Sequence, residues 1–126
     1  MPESNPLHGC RILLVEDESF VLMLIEDMLL ELGAGSVETA MRLEEAERAA
    51  REKSVDIAVL DVNLAGRRSY PVAEVLKERG IPFLFATGYG SVGHDASWRG
   101  SPTLKKPFET RDLQRALEEV IAQGRA

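Results

Sequence analysis

RILLVED, residues 11–17, is the segment from which the fold of this chain can first be predicted. Residues 12–15 are apolar at consecutive positions, which is typical of a parallel strand covered by helices on both faces. Two carboxylates, Glu16 and Asp17, stand where the apolar run ends. Because parallel strands end at one shared edge of their sheet, polar residues that follow other such runs are expected to meet these carboxylates.

Three more apolar runs end in polar residues that carry chemistry. The runs are VDIAVL before Asp61, FLFA before Thr87 and PTL before the pair Lys105 and Lys106. If all of these runs are strands of one parallel sheet, a single edge gathers three carboxylates, a hydroxyl and an ammonium. Packing alone explains such a set poorly, whereas binding of a cation and a phosphoryl group explains it well.

Helix-period segments alternate with the apolar runs, and this alternation predicts βαβ units around a parallel sheet. We expect strands at 11–16, 36–39, 55–60, 81–86 and 102–105, and helices at 19–32, 41–53, 71–79 and 110–123. Residues 88–100 contain four glycines and few apolar residues, so the fourth helix of the chain, expected there, should be short or mobile. The predicted architecture is one α/β domain over 1–126, with a single five-stranded parallel sheet and helices on both faces.

The composition fits a globular domain of 126 residues, 44% hydrophobic and 29% charged. A net charge of −6 argues against nucleic acid as a direct partner, since phosphate binding requires a basic surface. Cys10 is the only cysteine, which excludes an intramolecular disulfide and a cysteine metal cluster. No signal peptide or membrane-spanning stretch is evident, so we expect a cytoplasmic protein without a membrane partner. The chain ends shortly after the last predicted helix, so no output domain is expected.

Glu16, Asp17 and Asp61 would repel one another at a shared sheet edge unless a cation joined them. Their oxygen ligands suit Mg²⁺ or Mn²⁺ better than Zn²⁺. A carboxylate is also a competent nucleophile toward phosphorus, with which it forms an acyl phosphate. The ammonium of Lys106 and the hydroxyl of Thr87 could each hold one oxygen of the transferred phosphoryl group. These residues therefore predict a site that binds a divalent cation and accepts a phosphoryl group.

Four segments at the predicted strand ends carry a resemblance to a known family. They are LLVEDE at 13–18, VLDVNL at 59–64, FATGY at 85–89 and LKKPF at 104–108. The chain resembles the receiver domain of two-component response regulators, and the similarity extends over nearly its whole length. The resemblance implies a flavodoxin-like sheet of order 2-1-3-4-5. It also implies a bacterial phosphorelay function, in which a histidine kinase donates the phosphoryl group and the modified domain binds a downstream protein.

The resemblance further implies a role for each residue of the site. The implied set is the phosphoacceptor Asp61; the metal ligands Glu16, Asp17, Asp61 and the backbone carbonyl of Asn63; the switch hydroxyl of Thr87; and the phosphate-binding Lys106, joined by a cis bond to Pro107. Within the acidic pair, Asp17 would contact the metal directly. Phosphorylation and dephosphorylation would be self-catalysed, so the protein would act in signalling and would not be an enzyme in the usual sense.

FATGYG at 85–90 further resembles a subgroup of receivers named for the motif FATGUY, which points to kinases of the HWE type as partners. The subgroup lacks the aromatic residue that most receivers carry on their fifth strand, and Thr103 stands at that position here. We therefore hypothesise that movement of Thr87 orders the glycine-rich segment 88–100. Tyr89 is the candidate substitute for the missing aromatic residue.

Three other interpretations are compatible with parts of the sequence. The chain could be a receiver domain excised from a hybrid histidine kinase or a larger regulator. A Mg²⁺-dependent aspartyl-phosphate phosphohydrolase would carry Asp-x-Asp, whereas this chain has Asp61-Val62-Asn63. A flavin-binding module needs a loop after the first strand that binds phosphate. Residues 16–18, at that place in this chain, are all acidic and would repel phosphate.

Residues 20–25 (FVLMLI) leave no polar face on the first predicted helix for more than a turn. Some of them are expected to be exposed. Single exposed apolar side chains are common, whereas a contiguous patch marks a docking surface, in this family one for a kinase.

Overall fold

The computed structural model describes residues 7–88, 98 and 100–124, and these form a parallel sheet flanked by helices. The strands are β1 (Arg11–Val15), β2 (Ser36–Ala40), β3 (Ile57–Asp61), β4 (Asn63–Leu64), β5 (Arg67–Arg68), β6 (Phe83–Thr87) and β7 (Thr103–Lys105). The helices are α1 (Ser19–Glu31), α2 (Leu43–Glu52), α3 (Tyr70–Glu78) and α4 (Thr110–Gly124). Each predicted strand, and each predicted helix outside 88–100, is present with ends shifted by at most two residues.

The main sheet has five strands in the order β2-β1-β3-β6-β7, and its strand pairs are all parallel. Counted along the chain within this sheet, the order is 2-1-3-4-5, which confirms the predicted flavodoxin-like topology. The sequence order reverses between β1 and β3. The carboxyl ends of these two central strands therefore border the crevice where such sheets bind ligands.

Apolar side chains of the sheet pack into two cores, one on each face. Leu13 and Val15 of β1 pack with α2 and α3, whereas Ile12 and Leu14 pack with α1 and α4. All five residues of β3 are buried, because this strand has a neighbour on each side and helices over both faces. The consecutive apolar positions in the sequence therefore indicated the covered strands correctly.

A small antiparallel hairpin, β4–β5, follows directly after β3 and has no counterpart among the predicted elements. Its turn residues Ala65 and Gly66 both have positive φ, 52° and 89°. Two-residue turns of this kind usually carry Asn-Gly or Asp-Gly, because those residues tolerate the left-handed conformation at low cost. With alanine at the first turn position, the usual sequence signal of a hairpin is weak.

Two predictions fall on residues outside those described. They are the short or mobile helix within 88–100 and the switch role of Tyr89. Gly88, Trp98 and Gly100 are the parts of this segment that the structure describes, and Trp98 is buried. In the ranges 7–88 and 100–124, no helix combines the length and the apolar character needed to cross a lipid bilayer.

Candidate functional site

The predicted site residues converge on a cavity at the carboxyl edge of the sheet. Asp61 and Thr87 are the last residues of β3 and β6, and Glu16 and Lys106 directly follow β1 and β7. The cavity has a volume of about 240 Å³. It is lined by Asp17, Glu18, Asp61, Asn63, Thr87, Gly88 and Lys106. Parallel strand ends thus bring together residues that are up to 90 positions apart in the chain.

Three carboxylates at this edge form a group that could hold a metal ion. One oxygen each from Glu16, Asp17 and Asp61 lies within 4.8 Å of the others. This set of oxygen donors fits a hard divalent cation such as Mg²⁺ and contains neither the nitrogen nor the sulfur ligands that Zn²⁺ prefers. Asn63, the further ligand that the resemblance implies, lines the same cavity.

Lys106 supplies the positive charge inside the site. Its Nζ lies 2.6 Å from Oε1 of Glu16 and 3.6 Å from Oδ2 of Asp61. The side chain of Lys106 is only 19% exposed, whereas the neighbouring Lys105 is exposed and does not line the cavity. The structure therefore places Lys106, and not Lys105, where a phosphoryl oxygen on Asp61 would be bound.

Glu16 is the innermost of the three acids. Its side chain is 1% exposed, and both carboxylate oxygens have partners, since Oε1 accepts from Lys106 and Oε2 accepts from the backbone N–H of Glu18. Asp17 is only half-buried and lines the cavity directly. This difference in environment favours Asp17 over Glu16 as the direct ligand of a cation, because Glu16 is already committed to the lysine.

Asp61 is held in an environment that resists ionisation when no cation is bound. Burial, followed by the nearby charge of Glu16, raises the pKa of Asp61 to about 7, and Lys106 only partly offsets this. At neutral pH a large part of Asp61 is therefore protonated. A divalent cation in the acidic group would favour the carboxylate form, which is the nucleophilic one.

Burial disfavours the charged form of Lys106, but the hydrogen bond from its ammonium to Glu16 and the charge of Asp61 outweigh burial. The pKa of Lys106 is therefore raised above its ordinary value, and the residue is a permanent cation at physiological pH. Lys106 could therefore bind a phosphoryl group on Asp61 without first gaining or losing a proton.

The hairpin β4–β5 is tied to the acidic group by a residue that the sequence did not single out. The backbone N–H of Ala65, in the hairpin turn, donates to Oδ2 of Asp17 at 3.0 Å. Within the hairpin, Oδ1 of Asn63 accepts from the backbone N–H of Gly66 at 3.1 Å. The segment that follows Asp61 is thus folded back against Asp17, and the Ala65-Gly66 pair was the only sequence signal of this contact.

Thr87 and Pro107 complete the described site. Thr87 is 4% exposed and lines the cavity, and its carbonyl oxygen accepts from the backbone N–H of Lys106 at 2.8 Å. The ends of β6 and β7 are therefore joined beside Asp61. The Lys106–Pro107 peptide bond is cis, as the resemblance implied.

Several solved structures are similar to this chain. SdrG from Sphingomonas melonis Fr1 is 38% identical, with 89% of this chain and 96% of that chain covered and a TM-score of 0.75. The BeF3-activated conformation of SdrG from Pseudomonas melonis Fr1 is 39% identical, with 90% and 98% covered and a TM-score of 0.77. A CheY-like receiver domain protein from Methanospirillum hungatei JF-1, at 23% identity, shares the fold with a TM-score of 0.80 over 92% and 96%.

A probable transcriptional regulator, ycf27 of Cyanidium caldarium, is 29% identical over 114 residues, or 87% of this chain. The chain spans 45% of the length of that protein. Residues 12–118 match the family described as the response regulator receiver domain. Because this match covers most of the sequence, and because SdrG is 38% identical over 96% of its own length, the chain belongs to the response regulator receiver domain family.

Proposed function

We propose that Asp61 is the phosphoacceptor of this receiver domain. Receiver domains act in phosphorelay signalling and are phosphorylated by histidine kinases. The observation that supports Asp61 is the cavity in which its carboxylate lies 3.6 Å from the Lys106 ammonium, beside Glu16, Asp17 and Thr87. An Asp61 oxygen would form the new bond to phosphorus as the bond from phosphorus to the kinase histidine breaks. The imidazole would leave with the electron pair, and Asp61 would become an acyl phosphate.

We propose Mg²⁺ as the cofactor, with Mn²⁺ able to replace it, because receiver domains generally bind Mg²⁺ and the acidic group supplies oxygen ligands. Asp17, Asp61 and the backbone carbonyl of Asn63 would hold the ion, while Glu16 stays paired with Lys106. The ion supplies positive charge that neutralises phosphoryl oxygens. Lys106 would bind one of these oxygens and the Thr87 hydroxyl another, so that movement of Thr87 toward the phosphoryl group begins the conformational response.

We also propose the finer features of the signalling role. The FATGYG motif at 85–90 supports membership of the FATGUY subgroup and a kinase of the HWE type as donor. The net charge of −6 supports a downstream partner that is a protein and not a nucleic acid. The proposal includes a cytoplasmic location in a bacterium. The only chemistry is self-catalysed gain and loss of the phosphoryl group, and no enzymatic turnover of another substrate is proposed.

The proposed phosphoacceptor can be tested with a small phosphodonor. The protein is incubated with acetyl phosphate and Mg²⁺, and its intact mass is compared with that of Asp61→Asn and of the control Asp56→Asn. Asp56 is an acid directly before β3, the strand that ends in Asp61, but it pairs with Arg11 at 3.0 Å outside the site. We expect wild type and Asp56→Asn to gain one phosphoryl group and Asp61→Asn to gain none. Equal gain by Asp61→Asn would refute the assignment.

The exposed apolar residues of α1 predict a separate effect on kinase recognition. Phe20, Met23 and Leu24 are 71%, 59% and 46% exposed at the end of the helix that adjoins Asp17. Since their spacing places them side by side, we propose that they contact the kinase. Phe20→Ser should therefore slow phosphotransfer from the cognate kinase about tenfold, a loss of about 1.4 kcal/mol of binding energy, while sparing acetyl phosphate.

Leu30 provides the matched control for this prediction, because it is 49% exposed at the far end of the same helix. A separation of ten residues corresponds to about 15 Å along a helix, so Leu30→Ser should leave phosphotransfer nearly unchanged. The rates are measured by transfer of radiolabelled phosphoryl group from the autophosphorylated kinase. If Phe20→Ser slowed phosphotransfer from the kinase and phosphorylation by acetyl phosphate equally, the exposed apolar residues of α1 would not be a kinase contact.

A further inference from the structure

Trp98, the only tryptophan of the chain, lies in a buried group of aromatic rings. Its indole stacks on Tyr70, with ring centroids 5.6 Å apart and planes inclined by 11°. It also meets Phe85 edge to face at 5.8 Å and Phe83 at 6.1 Å. Stacked and edge-to-face rings at these distances contribute directional contacts beyond the burial of apolar area, so the indole is held in a defined orientation.

The two closest rings belong to β6, which ends in Thr87 of the proposed phosphorylation site, and to α3. Phe85 is fully buried in β6, two residues before Thr87, and therefore lies on the same side of that strand as the Thr87 side chain. Tyr70 is the first residue of α3, directly after Ser69, whose backbone N–H donates to the carbonyl of Val62 at 2.9 Å. The indole thus contacts the strand that ends in Thr87 and the helix whose start is tied to the residue after Asp61.

The register of the sheet shows which residue of β7 lies beside Phe85. Phe85 pairs with Thr103 of β7, and Thr87 pairs with Lys105. Paired residues in a parallel sheet project to the same face, so the neighbour of Phe85 on β7 is a small threonine side chain. The aromatic ring in contact with Phe85 is therefore supplied by Trp98 and not by the paired residue of β7. Lys77 of α3 lies 5.8 Å from the centre of the indole and adds a cation–π contact on the α3 side.

We propose that Trp98 is the positioning residue that couples Thr87 to α3. When Asp61 is phosphorylated and Thr87 moves toward the phosphoryl group, β6 carries Phe85 with it. Phe85 displaces the indole edge, and the indole in turn shifts the Tyr70 ring and the start of α3. The coupling rests on the proposed phosphorylation of Asp61. It assigns the aromatic part of the switch to a residue that precedes β7, and not to the strand position occupied by Thr103.

Intrinsic fluorescence tests the coupling directly, because a single tryptophan reports on its own surroundings. Beryllofluoride, which mimics an aspartyl phosphate, is added to the protein in Mg²⁺, and binding is followed separately by fluorine NMR. We expect the Trp98 emission maximum and its quenching by acrylamide to change in proportion to bound beryllofluoride, and not with Mg²⁺ alone. Bound beryllofluoride with unchanged emission would overturn the coupling and leave the proposed function intact. Absence of binding to wild type would overturn the proposed function, and the coupling with it.

Amide exchange along α3 shows whether the indole transmits the change or only senses it. In wild type, beryllofluoride should change exchange rates at residues 70–78. That change should be lost in Trp98→Leu and kept in Trp98→Phe, which retains a ring. The substitution Phe85→Leu should also abolish the change, whereas the control Phe108→Leu removes a ring near the site on the opposite face of the sheet and should retain it. If Trp98→Leu folds and keeps the α3 response, or if Phe85→Leu folds and keeps it, Trp98 is not a positioning residue.

Discussion

Replacing Lys106 by methionine is expected to lower the free energy of unfolding of the metal-free protein by about 3 kcal/mol at about pH 8. Methionine preserves most of the apolar stem but removes the ammonium that lies 2.6 Å from Glu16. Glu16, 1% exposed, would then be a buried carboxylate without its counter-charge, and Asp61 would lose its nearest cation. The pKa of Lys106 is raised above its ordinary value, so the stability that it contributes is fully present at this pH and is lost only in strong alkali.

Lys105→Met is the matched control for this experiment, since it removes the same charge one position earlier from an exposed side chain. Its effect should stay within about 0.5 kcal/mol. Urea unfolding at fixed pH gives both values. In a double variant with Glu16→Gln, part of the loss caused by Lys106→Met should be recovered, because the buried carboxylate of Glu16 is no longer present without its counter-charge. Equal stabilities of the Lys106→Met and Lys105→Met proteins would mean that the pair with Glu16 contributes nothing.

Replacing Asp61 by asparagine is expected to have the opposite sign and to stabilise the metal-free protein at about pH 8. Burial and the charge of Glu16 raise the pKa of Asp61 in the folded protein to about 7, from an ordinary value of 3.8. Between these two values the folded state binds more protons than the unfolded state, so stability falls as the pH rises and stays lower above about pH 7. Asparagine carries no charge at any pH and avoids this loss.

The gain from Asp61→Asn should be on the order of 2 kcal/mol at about pH 8, less than the full pKa shift implies because the carboxylate is partly solvated. This difference in stability between Asp61→Asn and wild type should vanish at about pH 4. Mg²⁺ should make the difference smaller, because the ion stabilises the wild type. Thermal unfolding across this pH range measures the difference. Asp56→Asn should have the opposite effect. Arg11 lowers the pKa of Asp56, so removing the Asp56 carboxylate should slightly destabilise the protein at neutral pH. A gain for Asp61→Asn that did not depend on pH would exclude ionisation as its cause.

The strands and the edge on which they end could be predicted from the sequence because both follow from local patterns, whereas the strand order was implied only by the resemblance to receiver domains. Consecutive apolar residues in β1 and β3 indicated strands covered on both faces, and the alternation with helix-period segments required parallel connections. Once the strands are parallel, the residues after them must share an edge. The convergence of Asp17, Asp61, Thr87 and Lys106 is therefore a consequence of topology that the chain already encodes.

The different environments of Glu16 and Asp17 could not be predicted from local sequence patterns. Glu16 and Asp17 are adjacent and chemically similar, and nothing local distinguishes them. Tertiary structure buries Glu16 against Lys106 and leaves Asp17 at the cavity, tied to Ala65 of the hairpin. The hairpin itself depends on two left-handed turn residues, one of them an alanine, and the contact with Asp17 helps to hold that conformation.

Strand periodicity and the residues at strand ends are local properties, so the sequence was enough to predict a parallel five-stranded sheet with polar residues gathered at its carboxyl edge, and its motifs were enough to indicate the receiver domain family. The three-dimensional structure was needed to show that Lys106 pairs with Glu16, and that Trp98 lies against Phe85, whose partner on β7 is Thr103. Those features are contacts between residues far apart in the chain. Their strength depends on burial and on distances of a few ångströms, which no local pattern records.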